Sequence, residues 1–351
     1  MFYHCKILKI ISNIIWFNLA VMGSKFLRHW QCIGIKKNID ITKPYVCNIG
    51  DLPLVVWKNT DNQWLSTINI CKHMGSKLDQ GKIVNGCLKC PYHGLEYGGL
   101  NTFGKVQGTT FGKPQETFGE IVEQDGKIFW AHTPLHPKPF GIPFFERDRR
   151  DGTNGKYVHD FLQIDMECSL LDSAYNTMDI RHPEYVHDRL GFGSTQSPLN
   201  IKSYYFKDRV GLAFDYMSND LMKWVNQNGN TTENFHMYIY PSFTWSRVSF
   251  QNKNLIISVN LLPIAPKKTR WFVTISHDYN TDALGQTFLK QLATLIVGQD
   301  YGQLKNQVEE SELKKRLLFQ HIFLDEEVLV GLRELLKDYE YPNMQSFLHL
   351  L

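Results

Sequence analysis

The chain has 351 residues, of which 43% are hydrophobic and 21% are charged, and its formal net charge is +3. This length allows two domains, and the composition is that of an ordinary globular protein. A net charge this small gives no reason to expect a nucleic-acid partner. The seven cysteines lack the regular spacing of a disulfide framework, which predicts free thiols in the cytoplasm or another reducing compartment.

The N-terminal stretch Ile7–Val21 is largely apolar but is interrupted by Lys9, Ser12 and Asn13. It is too short and too polar to be expected to cross a membrane. The polar residues fall on one side of a helical wheel, so a helix lying on a membrane surface, and hence peripheral membrane association, is one alternative. A targeting segment, or an extension that precedes Met22, is another. We treat residues 1–25 as an apolar N-terminal extension.

Strand-like runs alternate with turn signals from about residue 40 to residue 133. Three hairpins are predicted, with turns at Asn59–Asn62, at Asn85-Gly86 and at Gln124–Gly126. The region ends in Pro134–Pro139, where three prolines in six residues favour a linker. Residues 26–135 are therefore predicted to form a small all-β domain, and residues 136–351 a second, larger domain.

Two short arms in the first domain carry paired cysteines and histidines. One arm reads Cys71-Lys-His73 and the other reads Cys90-Pro-Tyr-His93. Two thiolates and two imidazoles are the ligand set of a Rieske [2Fe–2S] cluster, an electron carrier. A zinc site is the alternative, although the usual zinc pattern keeps the two ligand types in separate arms.

A second set of chemistry-bearing residues follows a predicted helix in the larger domain. The apolar residues Leu170, Leu171, Ala174, Tyr175 and Met178 give the helical stripe, and the segment continues through Asp179, His182, Pro183 and His187. Two histidines with one distant carboxylate form the facial triad that holds non-haem Fe(II). A histidine pair by itself is more often structural.

The carboxylate that would complete this triad is predicted to be Asp300, in the segment Gly298-Gln299-Asp300. The simpler interpretation is an acidic residue at the N-terminus of a helix, where the helix dipole favours it. Asp278, Asp282 and Glu309 are the other acidic residues that we consider for this position.

The remainder of the larger domain is predicted to contain aromatic strands and a packing helix near Asp325–Tyr339. Phe243, Trp245 and Trp271 would line an apolar pocket or belong to the core. His236 and His277 are interpreted as strand histidines with satisfied hydrogen bonds, and Arg247 and Arg270 as partners of an acidic substrate or as surface residues. The fold class is α+β: a small all-β domain followed by antiparallel strands packed by helices.

Both sets of motifs resemble those of one family. The arms Cys71-Lys-His73-Met-Gly75 and Cys90-Pro-Tyr-His93-Gly94 resemble the two cluster loops of Rieske proteins. The order Asn176-x-x-Asp179-x-x-His182-x₄-His187 resembles the catalytic motif of Rieske non-haem iron oxygenases, and its spacing that of the monooxygenase and O-demethylase branch. The resemblance extends from about Trp30 onward.

The resemblance implies a Rieske [2Fe–2S] domain followed by a helix-grip catalytic domain. It implies a cluster held by Cys71, His73, Cys90 and His93, and one mononuclear Fe(II) held by His182, His187 and Asp300. It also implies a head-to-tail homotrimer, in which Asn176 and Asp179 act as catalytic residues and Asp179 links His182 to His93 of the next subunit. Since the sequence contains no flavin or nicotinamide fingerprint, a ferredoxin or an NAD(P)H-dependent reductase is the expected electron donor.

The predicted function is therefore a Rieske oxygenase that uses O₂ to hydroxylate or oxidatively demethylate a small or medium organic substrate, either aromatic, sterol-like or otherwise lipophilic. Monooxygenation is favoured over dihydroxylation. The alternative is a Rieske electron-transfer protein without oxygenase activity, for which a second iron site would have no use.

Overall fold

The structure is a computed structural model that describes residues 25–98, 117–141, 157–188, 198–217, 231–250, 253–308 and 327–343. The chain divides into two compact units. The first contains the described residues up to Gly141 together with 340–343, and the second those from 157 to Tyr339. The division falls close to the predicted boundary after residue 135, but the segment 340–343, predicted to belong to the second domain, lies in the first unit. The N-terminal stretch and Glu309 lie outside the described residues.

The first unit is built from three antiparallel sheets of three strands each, with the orders β1-β9-β8, β2-β3-β4 and β5-β6-β7. Two short 3₁₀ turns, Lys36–Asn38 and Leu78–Gln80, accompany them. The strands are β1 Gln31–Ile35, β2 Tyr45–Ile49, β3 Leu52–Lys58, β4 Trp64–Ile68, β5 Lys82–Val84, β6 Cys87–Lys89, β7 Glu96–Tyr97, β8 Glu120–Gln124 and β9 Lys127–Ala131.

The three predicted hairpins are present as β3–β4, β5–β6 and β8–β9. Asn85 and Asp125 each stand first in a two-residue turn before a glycine, with φ angles of 51° and 49°. Positive φ angles at both turn residues define the type I′ turn, whose twist matches that of the paired strands. Local turn chemistry therefore sets the register of this unit.

The second unit is one seven-stranded antiparallel sheet of order β10-β16-β15-β14-β13-β12-β11, accompanied by helices. The predicted α+β class is thereby confirmed. The strands are β10 Val158–Met166, β11 Leu199–Tyr205, β12 Arg209–Met217, β13 Thr231–Ile239, β14 Phe243–Phe250, β15 Lys253–Ala265 and β16 Lys268–His277. The helices are α1 Leu170–Met178, α2 His182–Val186, α3 Ala283–Leu304 and α4 Glu327–Leu336. None of the described helices has the length and apolar character needed to cross a bilayer.

Helix α1 packs against one face of this sheet, which we call the helix-facing side. Thr244 donates a hydrogen bond to Met178 Sδ at 3.8 Å, and Trp271 Nε1 donates one to Ser173 Oγ at 2.9 Å. Because successive strand residues point to opposite faces, the register places Phe243 and Trp245 on the other side. Trp271 is thus a packing contact of α1, and Phe243 and Trp245 face away from this helix.

The segment 340–343 is held against the first unit by a close approach at Gly50. The amide of Asp51 donates to the carbonyl oxygen of Pro342 at 2.9 Å, and the Tyr341 hydroxyl donates to Asp51 Oδ1 at 3.1 Å. Gly50 has a φ of 58°, and a Cβ atom there would lie 2.0 Å from that same carbonyl oxygen. No local sequence pattern predicts this contact.

Replacing Gly50 with alanine should therefore destabilise the first unit by about 1–3 kcal/mol, because a side chain is strained at this φ and collides with backbone. Thermal unfolding measures the effect. Gly302→Ala is the matched control, since a Cβ at that helical position meets nothing within 4 Å and alanine favours helix. Equal unfolding temperatures for the two variants would contradict this account of the contact.

Candidate functional site

The two Cys/His arms of the first unit are built alike. The Cys71 amide donates to the Ser76 carbonyl at 2.8 Å, and the Gly75 amide donates back to the Cys71 carbonyl at 2.8 Å. In the second arm the Cys90 amide donates to Leu95 at 2.8 Å, and the Gly94 amide donates to Cys90 at 3.1 Å. Each loop therefore closes through the same pair of hydrogen bonds, which places its cysteine and its glycine in equivalent positions, while the histidine is the third residue of the first loop and the fourth of the second.

The glycine at the fifth position of each loop is required by its backbone. Gly75 and Gly94 have φ angles of 73° and 74°, in the left-handed region. A residue with a side chain would be strained in this conformation. Together with the closing hydrogen bonds, this explains why both arms have the form Cys, histidine, glycine.

The thiols of the two arms lie inside and their imidazoles lie outside. Cys71 and Cys90 are buried in one core cluster with Trp57 and Tyr97, whereas His73 and His93 are exposed. The two imidazole rings meet edge to face with centroids 4.7 Å apart. The structure thus presents two buried sulfur donors and two adjacent surface imidazoles, which fits a cluster with thiolates on one metal and imidazoles on the other.

Tyr97 is a functional residue that sequence reasoning missed. Its hydroxyl oxygen accepts a hydrogen bond from the Lys72 amide at 2.8 Å, and its O–H bonds to the sulfur of Cys71. Burial raises the pKa of the Cys71 thiol, but the hydrogen bonds from Tyr97 and from the His73 amide outweigh burial and lower the pKa below its ordinary value. The loop therefore favours the thiolate that binds metal.

In the second unit, the predicted proximity of Asp179 and His182 arises from a break between two helices. Helix α1 starts at the cap Ser169 and ends at Met178, and Asp179 then adopts an extended conformation before α2 begins at His182. The Asp179 carboxylate accepts hydrogen bonds from the amides of Arg181 and His182 at 2.8 and 3.2 Å. The two residues are therefore neighbours through the turn that precedes the second helix, and they do not share the face of one helix.

His182, His187 and Asp300 come together, with potential ligand atoms within 4.8 Å of one another. Nε2 of His182 and Nε2 of His187 each lie 3.4 Å from Asp300 Oδ1. The Asn176 side-chain amide donates to the same oxygen at 3.3 Å. Two imidazoles and one carboxylate converging from one side match the facial arrangement of a non-haem iron site with open positions.

The remaining nitrogen of each imidazole is held by an oxygen acceptor. His182 Nδ1 lies 2.8 Å from the Asp179 carbonyl oxygen, and His187 Nδ1 lies 2.8 Å from Gln299 Oε1. Each Nδ1 therefore donates its proton to that oxygen, and each Nε2 faces Asp300. Hydrogen bonds of this kind fix the tautomer and orientation of metal-binding histidines. The role of Gln299 could not be predicted from the sequence, because only the fold brings this residue to His187.

Asp300 lies near the C-terminal end of helix α3, not at a helix N-terminus as the sequence suggested. The helix dipole disfavours an anion there, so the carboxylate does not serve to stabilise the helix. Among the other acidic residues considered, Asp282 caps the start of α3 through the Gly285 amide, and Asp278 bonds to Asn254. Both are occupied elsewhere.

The charges of the triad are complementary. Burial would raise the pKa of Asp300, but hydrogen bonds from His182 and His187 and their charges lower the pKa to about 2. Burial would lower the pKa of His182, but Asp300 and Asp179 raise it above its ordinary value. The ionised Asp300 carboxylate favours positive charge on the neighbouring imidazoles, and the same negative charge would stabilise a bound cation.

One further sequence expectation is wrong, and Arg270 has a partner within the protein. His236 was expected to be a satisfied strand histidine, but its Nδ1 is buried without a hydrogen-bond partner among the described residues. Arg270 was considered as a partner of an acidic substrate, but its guanidinium is paired with both oxygens of Asp165 at 2.6 and 2.9 Å.

Comparisons with known proteins find a matching domain and several similar proteins. Residues 29–119 match the model of the Rieske [2Fe–2S] domain. The dicamba O-demethylase oxygenase component of Stenotrophomonas maltophilia is 33% identical over 171 residues, which cover 46% of this chain and 48% of that protein. The 3-ketosteroid-9-alpha-monooxygenase oxygenase component of Rhodococcus rhodochrous is 26% identical over 175 residues, covering 47% of this chain and 42% of that protein. The chain thus spans less than half the length of these curated relatives.

Solved structures with a similar fold cover nearly the whole chain. Dicamba monooxygenase bound to dicamba superposes with a TM-score of 0.69 at 18% identity, covering 93% of this chain and 98% of that one. NdmA of Pseudomonas putida CBB5 with caffeine gives a TM-score of 0.67 at 16% identity, covering 89% of this chain and 91% of that one. These matches show that the chain contains a Rieske [2Fe–2S] domain and has the fold of dicamba monooxygenase and NdmA.

Replacing Gln299 with leucine should weaken metal binding at the His182/His187/Asp300 site by about 10–100-fold, because His187 loses the acceptor that fixes its tautomer. Titration of metal-free protein with Fe(II) or Co(II) measures this. Gln303→Leu, an exposed position one helical turn further along α3, is the matched control and should leave the affinity unchanged. Equal affinities for both variants would contradict the role assigned to Gln299.

Proposed function

We propose that this chain, which contains a Rieske [2Fe–2S] domain and has the fold of the Rieske oxygenases, is the oxygenase component of an electron-transfer system. It would use O₂ to hydroxylate or oxidatively demethylate an organic substrate. The observation that carries the proposal is the presence of two separate donor sets in one chain: Cys71, His73, Cys90 and His93 in one unit, and His182, His187 and Asp300 in the other.

The side chains fit the groups that they would hold. For a [2Fe–2S] cluster, the first unit offers two buried free thiols and two adjacent imidazoles. For a mononuclear Fe(II), the second unit offers two imidazoles whose Nε2 atoms lie beside one carboxylate. When bound, the cluster supplies one-electron transfer and the mononuclear iron supplies O₂ activation.

The protein groups around the triad would hold its geometry. The Asp179 carbonyl and the Gln299 side chain fix the two imidazoles, and Asn176 orients the Asp300 carboxylate. Asp179 keeps 30% of its side chain exposed, which leaves a carboxylate oxygen available to a further partner. In a head-to-tail homotrimer that partner would be His93 of the next subunit, as the family resemblance implies.

The electrons would come from a separate protein, a ferredoxin or an NAD(P)H-dependent reductase, because the sequence contains no flavin or nicotinamide fingerprint. The relatives are named for an O-demethylase and a ketosteroid monooxygenase. Their names support monooxygenation of an aromatic or sterol-like substrate. The second candidate is an electron carrier without oxygenase activity. This candidate does not explain why His182, His187 and Asp300 come together.

Protein purified without oxygen should contain about three irons per chain and give a Rieske EPR signal on reduction. His182→Ala should lose about one iron and keep the Rieske signal, because the two sites lie in different units. His159→Ala is the control, since that histidine bonds to Ser276 instead of the triad. About two irons in the unaltered protein would favour the electron carrier.

Replacing Tyr97 with phenylalanine should lower the reduction potential of the cluster. The hydroxyl donates to the Cys71 sulfur, and a hydrogen bond to sulfur stabilises the more negative, reduced cluster. Loss of about 1 kcal/mol for one hydrogen bond corresponds to a decrease of about 40 mV, measured by redox titration of the EPR signal. Tyr92→Phe, at an exposed position beside His93, should leave the potential unchanged, and a similar decrease in that variant would exclude the specific role of Tyr97.

A further inference from the structure

His236 lies on the same side of the sheet as the triad. It stands on β13, paired with Ser246 of β14, on the helix-facing side. Its ring packs edge to face with Phe214 at 5.1 Å, and Phe214 in turn adjoins Tyr216 at 6.1 Å. The Tyr216 hydroxyl donates to Glu184 Oε1 at 3.4 Å, and Glu184 lies in α2 between the two triad histidines. Through Phe214 and Tyr216, His236 is thus in contact with the helix that carries the site.

One ring nitrogen of His236 makes no hydrogen bond with the residues that the structure describes. This atom is Nδ1, which is buried. Two other buried atoms on this side of the sheet, Asp160 Oδ2 and His277 Nε2, are also without partners in this part of the chain. Buried polar groups in native proteins are nearly always hydrogen-bonded, so the Nδ1 atom of His236 offers a point at which a ligand can form a hydrogen bond.

The residues in register with His236 on strands β12, β14, β15 and β16 carry no charge, and Asp160 of β10 is the next in that row. The uncharged residues are Leu212, Ser246, Ile257 and Ile275. Strand alternation puts Arg247 and Arg270 on the opposite side. Burial, reinforced by the charge of His182, lowers the pKa of His236 to about 4, so its imidazole is neutral at pH 7.

We propose that His236 positions the substrate through a hydrogen bond to Nδ1, and that this substrate is an uncharged, largely apolar molecule with a carbonyl, hydroxyl or amide group at that point. The inference rests on the proposed oxygenase function and adds to it the substrate class and a positioning residue.

The selection against anions follows from desolvation. A neutral imidazole can donate to a carbonyl oxygen or accept from a hydroxyl group. A carboxylate at the same point would lose its hydration and gain no ion pair from His236, because that imidazole is neutral, and burying an unpaired charge is strongly unfavourable. His236 should therefore discriminate between two ligands of equal size that differ in charge.

The test is calorimetric binding to protein whose iron content and Rieske signal have been verified. The probes are 4-methoxybenzamide, its size-matched anion 4-methoxybenzoate, and the neutral steroid androst-4-ene-3,17-dione. At least one neutral probe should bind, and the amide should bind more tightly than the carboxylate. His236→Leu should weaken binding of the neutral probe by about tenfold, and His236→Gln, which keeps a donor and an acceptor, should restore part of it.

His159→Gln is the matched control, because His159 is a strand histidine of the same sheet whose Nδ1 lies 2.8 Å from Ser276 Oγ on the opposite face. It should bind all probes as the unaltered protein does. The proposal is overturned if the carboxylate is preferred, if no neutral probe binds, or if iron-loaded His236→Leu binds the neutral probe with unchanged affinity.

These results are separable from failure of the oxygenase proposal. A protein that lacks mononuclear iron after anaerobic reconstitution would defeat the oxygenase function, and with it the basis for a substrate at His236, before any ligand is added. Iron-loaded protein with unchanged binding in His236→Leu would defeat only the role of His236.

Discussion

The second unit depends on one buried carboxylate. Asp300 lies near the C-terminal end of a helix, where the helix dipole opposes a negative charge, and it is largely removed from water. Its position becomes favourable only because His182, His187 and Asn176 converge on the same oxygen. Such a cost is typical of functional sites, where local preferences are violated and offset by surrounding contacts.

The sheet and helices supply the precision that this arrangement needs. Helix α1 is anchored on the sheet through Trp271 and Thr244, and its end at Asp179 starts the turn that carries both histidines. Helix α3 brings Gln299 and Asp300 to the same histidine, one to each ring nitrogen. Two consecutive helical residues thus orient His187 and complete the triad.

The first unit reaches its geometry by a different route, through short loops closed by backbone hydrogen bonds. Because both loops use the same closure, two distant segments place a thiol inside and an imidazole outside in equivalent ways. The surface position of His73 and His93 suits transfer of an electron to or from a group outside this unit. The buried hydroxyl of Tyr97 forms its hydrogen bond with the sulfur of Cys71 and so affects the thiol end of the site.

Much of the protein was predictable from local sequence. Asn85-Gly86 and Asp125-Gly126 set their hairpins, because a type I′ turn needs residues that tolerate positive φ, and the apolar stripe before Met178 predicts α1. The donor sets were also visible as patterns, since ligand type and spacing are properties of the chain. Tertiary structure alone decided that Asp300 meets both histidines, that Gln299 holds His187, that Pro342 returns to Gly50, and that the Nδ1 atom of His236 has no hydrogen-bond partner among the described residues. These are contacts between residues far apart in sequence, and short-range periodicity and turn chemistry carry no information about which distant surfaces will meet.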